Sequence, residues 1–371
     1  MPIGLATVLG LVLLWPDGQP TQAEQVAQTY LPPGTTYADA RVVSVEPFEC
    51  GTDPAYPATC AHAVVEVLEG EGKGDFQQID IPSQAGRTVV VTGANSGLGL
   101  ATTRELARAG ARVVMAVRDV PRGEQAAATV DGEVEVRRLD LADLASVREF
   151  AAAWTGDLDV LVNNAGIMMV PAGLTVDGFE LQFGTNHLGH FALTNLLLPH
   201  VTDRVVTVAS TMHRAGHVDL ADLNWQRRRY SPTGAYGQSK LANLLFTLEL
   251  QRRLTEGGSR VRALAAHPGW AATNLQGRSQ SWITDRAMKL GNALLAQSGE
   301  QGALPSLAAA TLDLPGGSYL GPSGWNEMRG APTLVGRTPS ASDPDLARRL
   351  WEASAELTGV DFPAPADLGE R

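Results

Sequence analysis

The sequence predicts an α/β protein built on a doubly wound parallel sheet, preceded by a small β-rich N-terminal unit. Three observations support this fold class. From about Gln84 onward, short β-branched runs alternate with helical stretches. The predicted strands of this region are nearly uncharged, which is typical of strands covered by helices on both faces. A glycine-rich turn joins the first of these strands to the first helix, as in sheets that bind ligands at the carboxyl ends of their strands.

Helical periodicity separates these strands. The first predicted helix is Leu98–Ala109, and Gly110 stands just after it, where glycine commonly ends a helix. Longer helices are predicted at Phe179–Leu198 and Ala235–Leu254, and an amphipathic helix at Pro344–Gly359. The predicted strands are Arg87–Thr92, Ala111–Val117, Val134–Leu139, Leu158–Val162, Arg204–Ala209 and Val261–Ala266.

Composition divides the chain into three regions: an apolar segment at residues 1–20, a small β-rich unit at 21–80 and a main domain at 82–371. The net charge of −11 is concentrated in the first 85 residues, where Arg41 and Lys73 are the only basic residues. The near-neutral main domain argues against nucleic-acid binding, because phosphate binding needs a basic surface. The strands predicted in the β-rich unit are Ala40–Val45, Ala63–Leu68 and Phe76–Ile81.

Two features of the front end leave alternatives open. Ile3–Trp15 is an uncharged apolar run, shorter than the roughly 20 residues of a spanning helix. It is compatible with a clipped membrane segment, a signal sequence or a buried helix. Cys50 and Cys60 either remain separate thiols or form one disulfide. Because the main domain has no cysteine, thiol catalysis is excluded there.

The glycine-rich turn reads TGANSGLG over residues 92–99. Gly93, Gly97 and Gly99 stand where the chain must turn sharply and where a pyrophosphate approaches the backbone. The helix that follows offers unpaired N–H groups and a favourable dipole to phosphates. The strand–turn–helix context therefore predicts a Rossmann-type dinucleotide site, and a turn needed only for packing is the alternative.

The end of the second strand indicates which dinucleotide is bound. An acidic residue there binds the ribose 2′-hydroxyl of NAD. Val117 cannot accept that bond, whereas Arg118 can pair with the 2′-phosphate of NADP. Asp119 is the alternative partner of Arg118. We therefore expect NADP(H) to be favoured over NAD(H).

Seven short motifs follow one another along the main domain. They are TGANSGLG at 92–99, LDL at 139–141, NNAG at 163–166, NHLGHF at 186–191, VAS at 208–210, YGQSK at 236–240 and HPG at 267–269. In this order they resemble a short-chain dehydrogenase/reductase, over residues from about 86 to 360. The similarity is greatest to the branch of retinol dehydrogenases and protochlorophyllide-reductase-like enzymes. The resemblance implies an oxidoreductase that transfers a hydride between a nicotinamide and a carbonyl or alcohol.

The resemblance also implies roles for individual residues. Asn186, Ser210, Tyr236 and Lys240 would form a catalytic tetrad, in which Asn186 anchors a water that links Lys240 to solvent. The other implied positions lie around the adenine, the adenosine ribose and the nicotinamide. The complete implied cofactor-binding set is Gly93, Asn95, Ser96, Gly97, Leu98, Gly99, Arg118, Asp140, Leu141, Asn164, Ala165, Gly166, Tyr236, Lys240, Pro268, Gly269 and Thr273.

The tetrad's residue types suit this chemistry. Hydride transfer to a carbonyl leaves an alkoxide that needs a proton, and a phenol such as Tyr236 can supply it although its ordinary pKa is about 10. Lys240 follows four residues later, on the same helical face, so its ammonium and the positive nicotinamide can lower that pKa. Ser210 ends a buried strand and can hold the substrate oxygen.

Apolar residues predict an apolar substrate. The segment between Ser210 and Tyr236 is longer than in many members of the family, resembles an insertion of the retinol-dehydrogenase-like branch, and is expected to form part of the substrate wall. We expect a hydrophobic aldehyde, ketone or alcohol. The alternative is that several residues of the apolar set listed below pack in the core or on a dimer face; a dimer face would imply a homo-oligomer. The apolar set is Met168, Met169, Trp225, Trp270, Leu275, Trp282 and Ile283.

Two polar clusters receive plainer interpretations. His187, His190, His213 and His217 have spacings that suit ligand pairs, but no cysteine or nearby carboxylate completes a metal site, so we expect no metal. The run Arg227–Arg229 is expected to be an exposed basic loop rather than a contact for an anionic substrate.

Residues 1–80 resemble the N-terminal part of a YibE/F-like membrane protein, through Ala40–Val45, the two cysteines and Val67–Gly74. Such a unit faces outward, whereas NADP(H) is cytoplasmic. We expect a cytoplasmic catalytic domain and leave membrane association through residues 3–15 open. A genuine fusion, a membrane-anchored enzyme and a mis-joined reading frame remain alternatives.

Two other functions stay open at this point. One is a catalytically silent dinucleotide-binding sensor, against which the intact Ser210, Tyr236 and Lys240 argue. The other is a membrane or envelope accessory protein that acts through residues 1–80.

Overall fold

The computed structural model describes residues 81–269 and 298–364, together with the backbone of two strands near the N-terminus. The chain separates into two compact units, Met1–Asp75 and Phe76–Arg371. The apolar run at 3–15, Cys50 and residues 270–297 lie outside the described residues. The last segment holds Thr273 and four residues of the predicted apolar set, Trp270, Leu275, Trp282 and Ile283. No helix in the described part of the chain is long and apolar enough to span a membrane.

The described part of the first unit is an antiparallel pair of strands. Strand β1, Ala40–Phe48, pairs with β2, Cys60–Val67, and the register shifts between Val42 and Ser44. Both strands overlap predicted ones. The third predicted strand falls outside the described residues except for Ile81, which is not in a strand.

The second unit contains an eight-stranded sheet, whose strands lie in the order β10-β9-β8-β7-β6-β3-β4-β5. The order turns back after β3, as expected of a doubly wound fold. Its strands are β3 Thr88–Thr92, β4 Arg112–Val117, β5 Val134–Arg138, β6 Leu158–Asn163, β7 Val201–Val208, β8 Arg262–Ala266, β9 Tyr319–Pro322 and β10 Pro332–Leu334.

Helices cover both faces of this sheet. The described α-helices are α1 Gly97–Arg108, α2 Val120–Ala127, α3 Leu144–Ala152, α4 Leu181–Phe183, α5 Gly189–Leu197, α6 Pro232–Glu256, α7 Gly299–Thr311 and α8 Pro344–Thr358. One apolar core joins the sheet to α1 and α7, and two others join it to α3, α5, α6 and α8. The predicted α/β fold class is therefore confirmed.

The sheet departs from the prediction at one edge. Strands β3 to β9 pair in parallel, but β10 pairs with β9 antiparallel. The connection between β9 and β10 is too short for the crossover that a parallel strand needs, so the chain turns straight back. Both strands are short and rich in glycine or proline, and periodicity does not reveal them.

The prediction of one continuous helix at Phe179–Leu198 is wrong in where the helix begins and in its continuity. Glu180 caps α4 with its carboxylate, which accepts from the N–H groups of Gln182 and Phe183, so the helix begins later. A π-helical turn, Gly184–Leu188, then precedes α5. Such turns are rare and often occur at functional sites. Asn186 lies within this one.

Trp351 on α8 packs that helix against α5 and α6. Its side chain is only 2% exposed, stacks on Phe246 of α6 with ring centroids 5.6 Å apart, and meets the edge of Phe191 of α5 at 4.8 Å. Its indole N–H donates to Asp361 at 2.7 Å. Three separate helices thus meet at one ring.

We predict that Trp351→Ala lowers the free energy of unfolding by about 3–5 kcal/mol, because it removes a buried aromatic side chain and leaves a cavity. Trp325→Ala is the matched control, since Trp325 is 77% exposed, and should change it by less than about 0.5 kcal/mol. Urea unfolding followed by circular dichroism measures both. Equal effects of the two substitutions would contradict the role given to Trp351.

Candidate active site

The glycine-rich turn at the carboxyl end of β3 needs glycine for two different reasons. Gly93 and Gly97 have φ values of +65° and +53°, in the left-handed region that side chains disfavour. At Gly99 a Cβ atom would collide with the carbonyl oxygen of Gly93 and lie 2.5 Å from Nδ2 of Asn164. The turn is therefore held tightly against the chain that follows β6. Ser96 precedes α1 without capping it through its side chain, so α1 presents its N-terminal N–H groups.

A cavity of about 490 Å³ opens beside this turn, at the carboxyl ends of β3, β4, β5 and β6. The structure brings together twelve of the predicted cofactor residues in its wall. Glycine backbone, a helix N-terminus and arginine side chains suit the phosphates of a dinucleotide. The lining residues are Gly93, Asn95, Ser96, Gly97, Leu98, Gly99, Ala116, Arg118, Asp119, Arg122, Leu139, Asp140, Leu141, Asn164, Ala165, Gly166, Ile167 and Thr185.

Two arginines stand at the β4 side of the cavity. Arg118 and Arg122 are both exposed and both line it. Asp119 caps α2, and its carboxylate accepts from the backbone N–H of Arg122 at 3.1 Å. Within the described ranges, neither guanidinium forms an ion pair. The alternative pairing of Arg118 with Asp119 is therefore absent from this structure. Sequence reasoning missed Arg122, although its spacing four residues after Arg118 could have revealed it.

The turn after β6 holds Asn186 in place. Oδ1 of Asn186 accepts from the N–H of Ile167 at 2.8 Å, and Nδ2 donates to the Ile167 carbonyl at 2.9 Å. Nδ2 also lies 3.0 Å from Oγ of Ser239 on α6. A side chain with no exposed surface thus joins the cavity wall, the π-helical turn and α6.

Ser210 and Tyr236 meet beyond the cavity. Ser210 follows β7, and its Oγ accepts from the N–H of Met212 at 3.2 Å. A hydrogen bond with Ser210 lowers the pKa of Tyr236, but burial outweighs it and raises that pKa to about 12. The phenol is therefore protonated at neutral pH in the protein alone.

Lys240 lies one helical turn after Tyr236 on α6. Its Nζ is 5.7 Å from the centre of the Tyr236 ring and donates to the Val208 carbonyl at 2.9 Å. Burial lowers the pKa of Lys240 to about 8. A Cβ atom at Gly166 would lie 3.6 Å from Nζ, so the ammonium adjoins the cavity wall.

The remaining predicted cofactor residues are placed differently. Pro268 and Gly269 follow β8 but are not among the residues that line the cavity. Gly269 has a φ of +66° and packs against the Glu327 and Met328 backbone, with no room for a Cβ atom. Thr273 lies outside the described residues.

The histidines have separate partners. His187 contacts Ser354 at 2.9 Å, His190 contacts Thr92 at 2.9 Å, and His213 donates to the Ser210 carbonyl at 2.7 Å. Burial lowers the pKa of His187 to about 3 and that of His190 to about 4, so both rings are neutral. In the part of the chain that the structure describes, no three His, Cys, Asp or Glu residues converge as a metal site does.

Comparison with known proteins identifies the family. Residues 87–284 match the family model of the short chain dehydrogenases. This chain is a short-chain dehydrogenase. It is 45% identical over 306 residues to human retinol dehydrogenase 13, an alignment that covers 76% of this chain and 88% of that protein. Mouse polyprenol dehydrogenase is 42% identical over 324 residues, covering 82% and 93%.

A solved structure gives the same result for the fold. An uncharacterised protein from Mycobacterium paratuberculosis is 58% identical, with a TM-score of 0.68, over 77% of this chain and 98% of its own. The predicted retinol-dehydrogenase-like branch and Rossmann-type fold are confirmed. The protein is an oxidoreductase of a family that acts on alcohol and carbonyl groups.

We predict that Gly99→Ala weakens NADPH binding at least tenfold, about 1.4 kcal/mol, because the added methyl displaces the turn that faces the phosphates. Gly336→Ala is the control, since a Cβ atom there meets nothing within 4 Å. Titration of NADPH by nicotinamide fluorescence measures both. Unchanged affinity in Gly99→Ala would exclude the turn from the binding site.

Proposed function

We propose that this short-chain dehydrogenase uses NADP(H) and transfers a hydride between the nicotinamide and the carbonyl or alcohol of an apolar substrate, with Tyr236 as acid and base. The proposal depends on the juxtaposition of Ser210, Tyr236 and Lys240, which are buried or half-buried, and on the approach of the Lys240 ammonium to the cavity wall at Gly166. The names of the retinol and polyprenol dehydrogenases to which the chain is similar support an apolar alcohol as substrate.

The cavity residues fit a dinucleotide. The backbone of Gly97 to Gly99 and the N-terminus of α1 would hold the pyrophosphate, and Arg118 with Arg122 would hold a 2′-phosphate. Asp140 and Leu141 would contact the adenine. When bound, the nicotinamide supplies or accepts the hydride.

The protein's own contribution is to hold and move a proton. Oγ of Ser210 would bind the substrate oxygen and keep it near the Tyr236 hydroxyl, which donates its proton during carbonyl reduction and accepts one during alcohol oxidation. The Lys240 ammonium stabilises the phenolate that results. Asn186 holds the Ile167 carbonyl in the wall beside Lys240, where a water could connect the ammonium to solvent.

Substrate contacts are expected from the two loops that flank this centre. Met168 and Met169 follow the turn after β6, and Trp225 lies in the segment between Ser210 and α6. All three are partly exposed and apolar, so they offer a hydrophobic surface rather than hydrogen bonds.

We predict that Tyr236→Phe lowers kcat by at least about 10³-fold and leaves the NADPH dissociation constant within about threefold, because only the proton donor is lost. Turnover of retinal at saturating NADPH measures the first quantity, and fluorescence titration measures the second. Tyr319→Phe is the control, because it also removes a buried hydroxyl, one without a hydrogen-bond partner among the described residues. Normal turnover in Tyr236→Phe would exclude this mechanism.

We predict that Arg118→Ala weakens NADPH binding about 10- to 100-fold and NADH binding less than about twofold, because only NADPH carries the 2′-phosphate. Arg122→Ala should show the same selectivity with a smaller effect. Arg348→Ala is the control, because it removes an exposed arginine on α8 and should leave the affinity for both dinucleotides unchanged. Equal losses for both dinucleotides would remove the two arginines as selectors.

The first experiment is to titrate the full chain with NADPH and NADH and then to screen apolar aldehydes and alcohols. Tight NADPH binding with turnover supports the proposal, and binding without turnover of any carbonyl or alcohol identifies a silent sensor. The cytoplasmic location, the membrane association through residues 3–15, homo-oligomer formation and the role of residues 1–80 stay predictions.

A further inference from the structure

Glu180 and Gln182 form a buried polar centre beside the predicted substrate wall. The two side chains are 2% and 0% exposed. Oε1 of Gln182 accepts from the N–H of Met169 at 2.8 Å, and its Nε2 donates to the Pro232 carbonyl and to Oη of Tyr230, both at 2.9 Å. One amide therefore uses all its groups to join two loops that are far apart in sequence.

Tyr230 and Asn224 complete this centre from the second loop. Oη of Tyr230 lies 3.1 Å from both the Val170 carbonyl and Oε1 of Glu180, between which its proton is shared. Oδ1 of Asn224 accepts from the Glu180 N–H at 2.9 Å. Burial raises the pKa of Glu180 and that of Tyr230, as expected where polar groups are removed from water.

Each of the two loops contains one strained residue next to this centre. Met169 and Trp225 have φ values of +51° and +55°, although neither is glycine. Such backbone persists only where neighbouring contacts impose it, and it concentrates at functional sites. The Met169 N–H is itself bonded to Gln182, and Trp225 follows Asn224 directly.

Each of the two loops is connected within a few residues to a group of the active site. Ile167, two residues before Met169, lines the dinucleotide cavity and is bonded to Asn186. Pro232 begins α6, and Tyr236 lies one turn later on the same helix. The centre thus fixes two apolar loop segments relative to the reacting groups while touching none of those groups itself.

We infer that Gln182 and Tyr230 are positioning residues that hold Met168, Met169 and Trp225 as a wall for the apolar part of the substrate, and so set the preference for long over short substrates. This inference rests on the proposed function for its chemistry. It differs from the mechanism above because it assigns neither residue to the proton or hydride steps. Loss of the centre should therefore change substrate selectivity and leave the reaction itself intact.

The test compares Tyr230→Phe and Gln182→Met with Tyr319→Phe in the full chain. Tyr319→Phe removes a buried hydroxyl that has no partner among the described residues. Measured quantities are kcat/KM for retinal and for propanal, the NADPH dissociation constant, and the affinity of the NADP⁺-loaded protein for retinal, followed by tryptophan quenching. Thermal unfolding of each variant shows that it is folded.

We expect Tyr230→Phe to lower the ratio of kcat/KM for retinal to that for propanal about tenfold, with retinal affinity falling in parallel and NADPH affinity within about twofold. Gln182→Met should act in the same direction. A ratio and a retinal affinity equal to those of Tyr319→Phe would overturn the inference, as would equal losses for retinal, propanal and NADPH. A wild-type protein that turns over no carbonyl would refute the proposed function. The retinal affinities of Tyr230→Phe and Tyr319→Phe would still show whether the centre positions the substrate wall.

Discussion

The hydroxyl of Thr92 is the contact on which the geometry of the site depends. At the carboxyl end of β3 it accepts from the backbone N–H groups of Asn164 and Ala165, both at 2.9 Å, and it lies 2.9 Å from Nε2 of His190. Nδ1 of His190 is 3.0 Å from the Asn186 carbonyl, which can only accept, so Nδ1 carries the proton and Nε2 accepts from Thr92. One hydroxyl thus ties the glycine turn, the turn after β6 and the π-helical turn into a single rigid unit.

The site also buries the amino group of Lys240. The pKa of Lys240 falls from 10.5 to about 8 because the ammonium is desolvated, which corresponds to roughly 3 kcal/mol against the charged form. The penalty applies at pH values below about 8 and disappears as the pH rises toward 10.5, where the unfolded chain also loses the proton. Burial shifts the pKa of Tyr236 in the opposite direction and raises it to about 12. A positive charge placed beside the phenol would lower the pKa of Tyr236 from this raised value.

The sequence was most informative where one physical signal dominates. The buried parallel strand Thr88–Thr92 is β-branched throughout, and Arg112–Val117 is apolar after its first residue. Their predicted ends differ from the observed ends by about one residue. Tyr319–Pro322 and Pro332–Leu334 are too short for periodicity to reveal them. The late start of α4 was also hidden, because it depends on the Glu180 cap rather than on apolar spacing. The π-helical turn Gly184–Leu188 between α4 and α5 gave no signal in the apolar spacing either.

The same distinction applies within the site. Most residues around the dinucleotide cavity are contiguous in short motifs, because each strand end contributes one turn, and those motifs could be recognised without a structure. Arg122 lies outside the motifs and was missed. Gln182 and Tyr230 have no such motif. Their importance comes from hydrogen bonds across 48 residues of chain, and an isolated glutamine or tyrosine carries no signal for that. The residues of the proposed binding and proton-transfer site are therefore recognisable in local motifs, whereas the shape of the proposed substrate wall depends on tertiary contacts. This difference is why the sequence predicts the reaction more readily than the substrate.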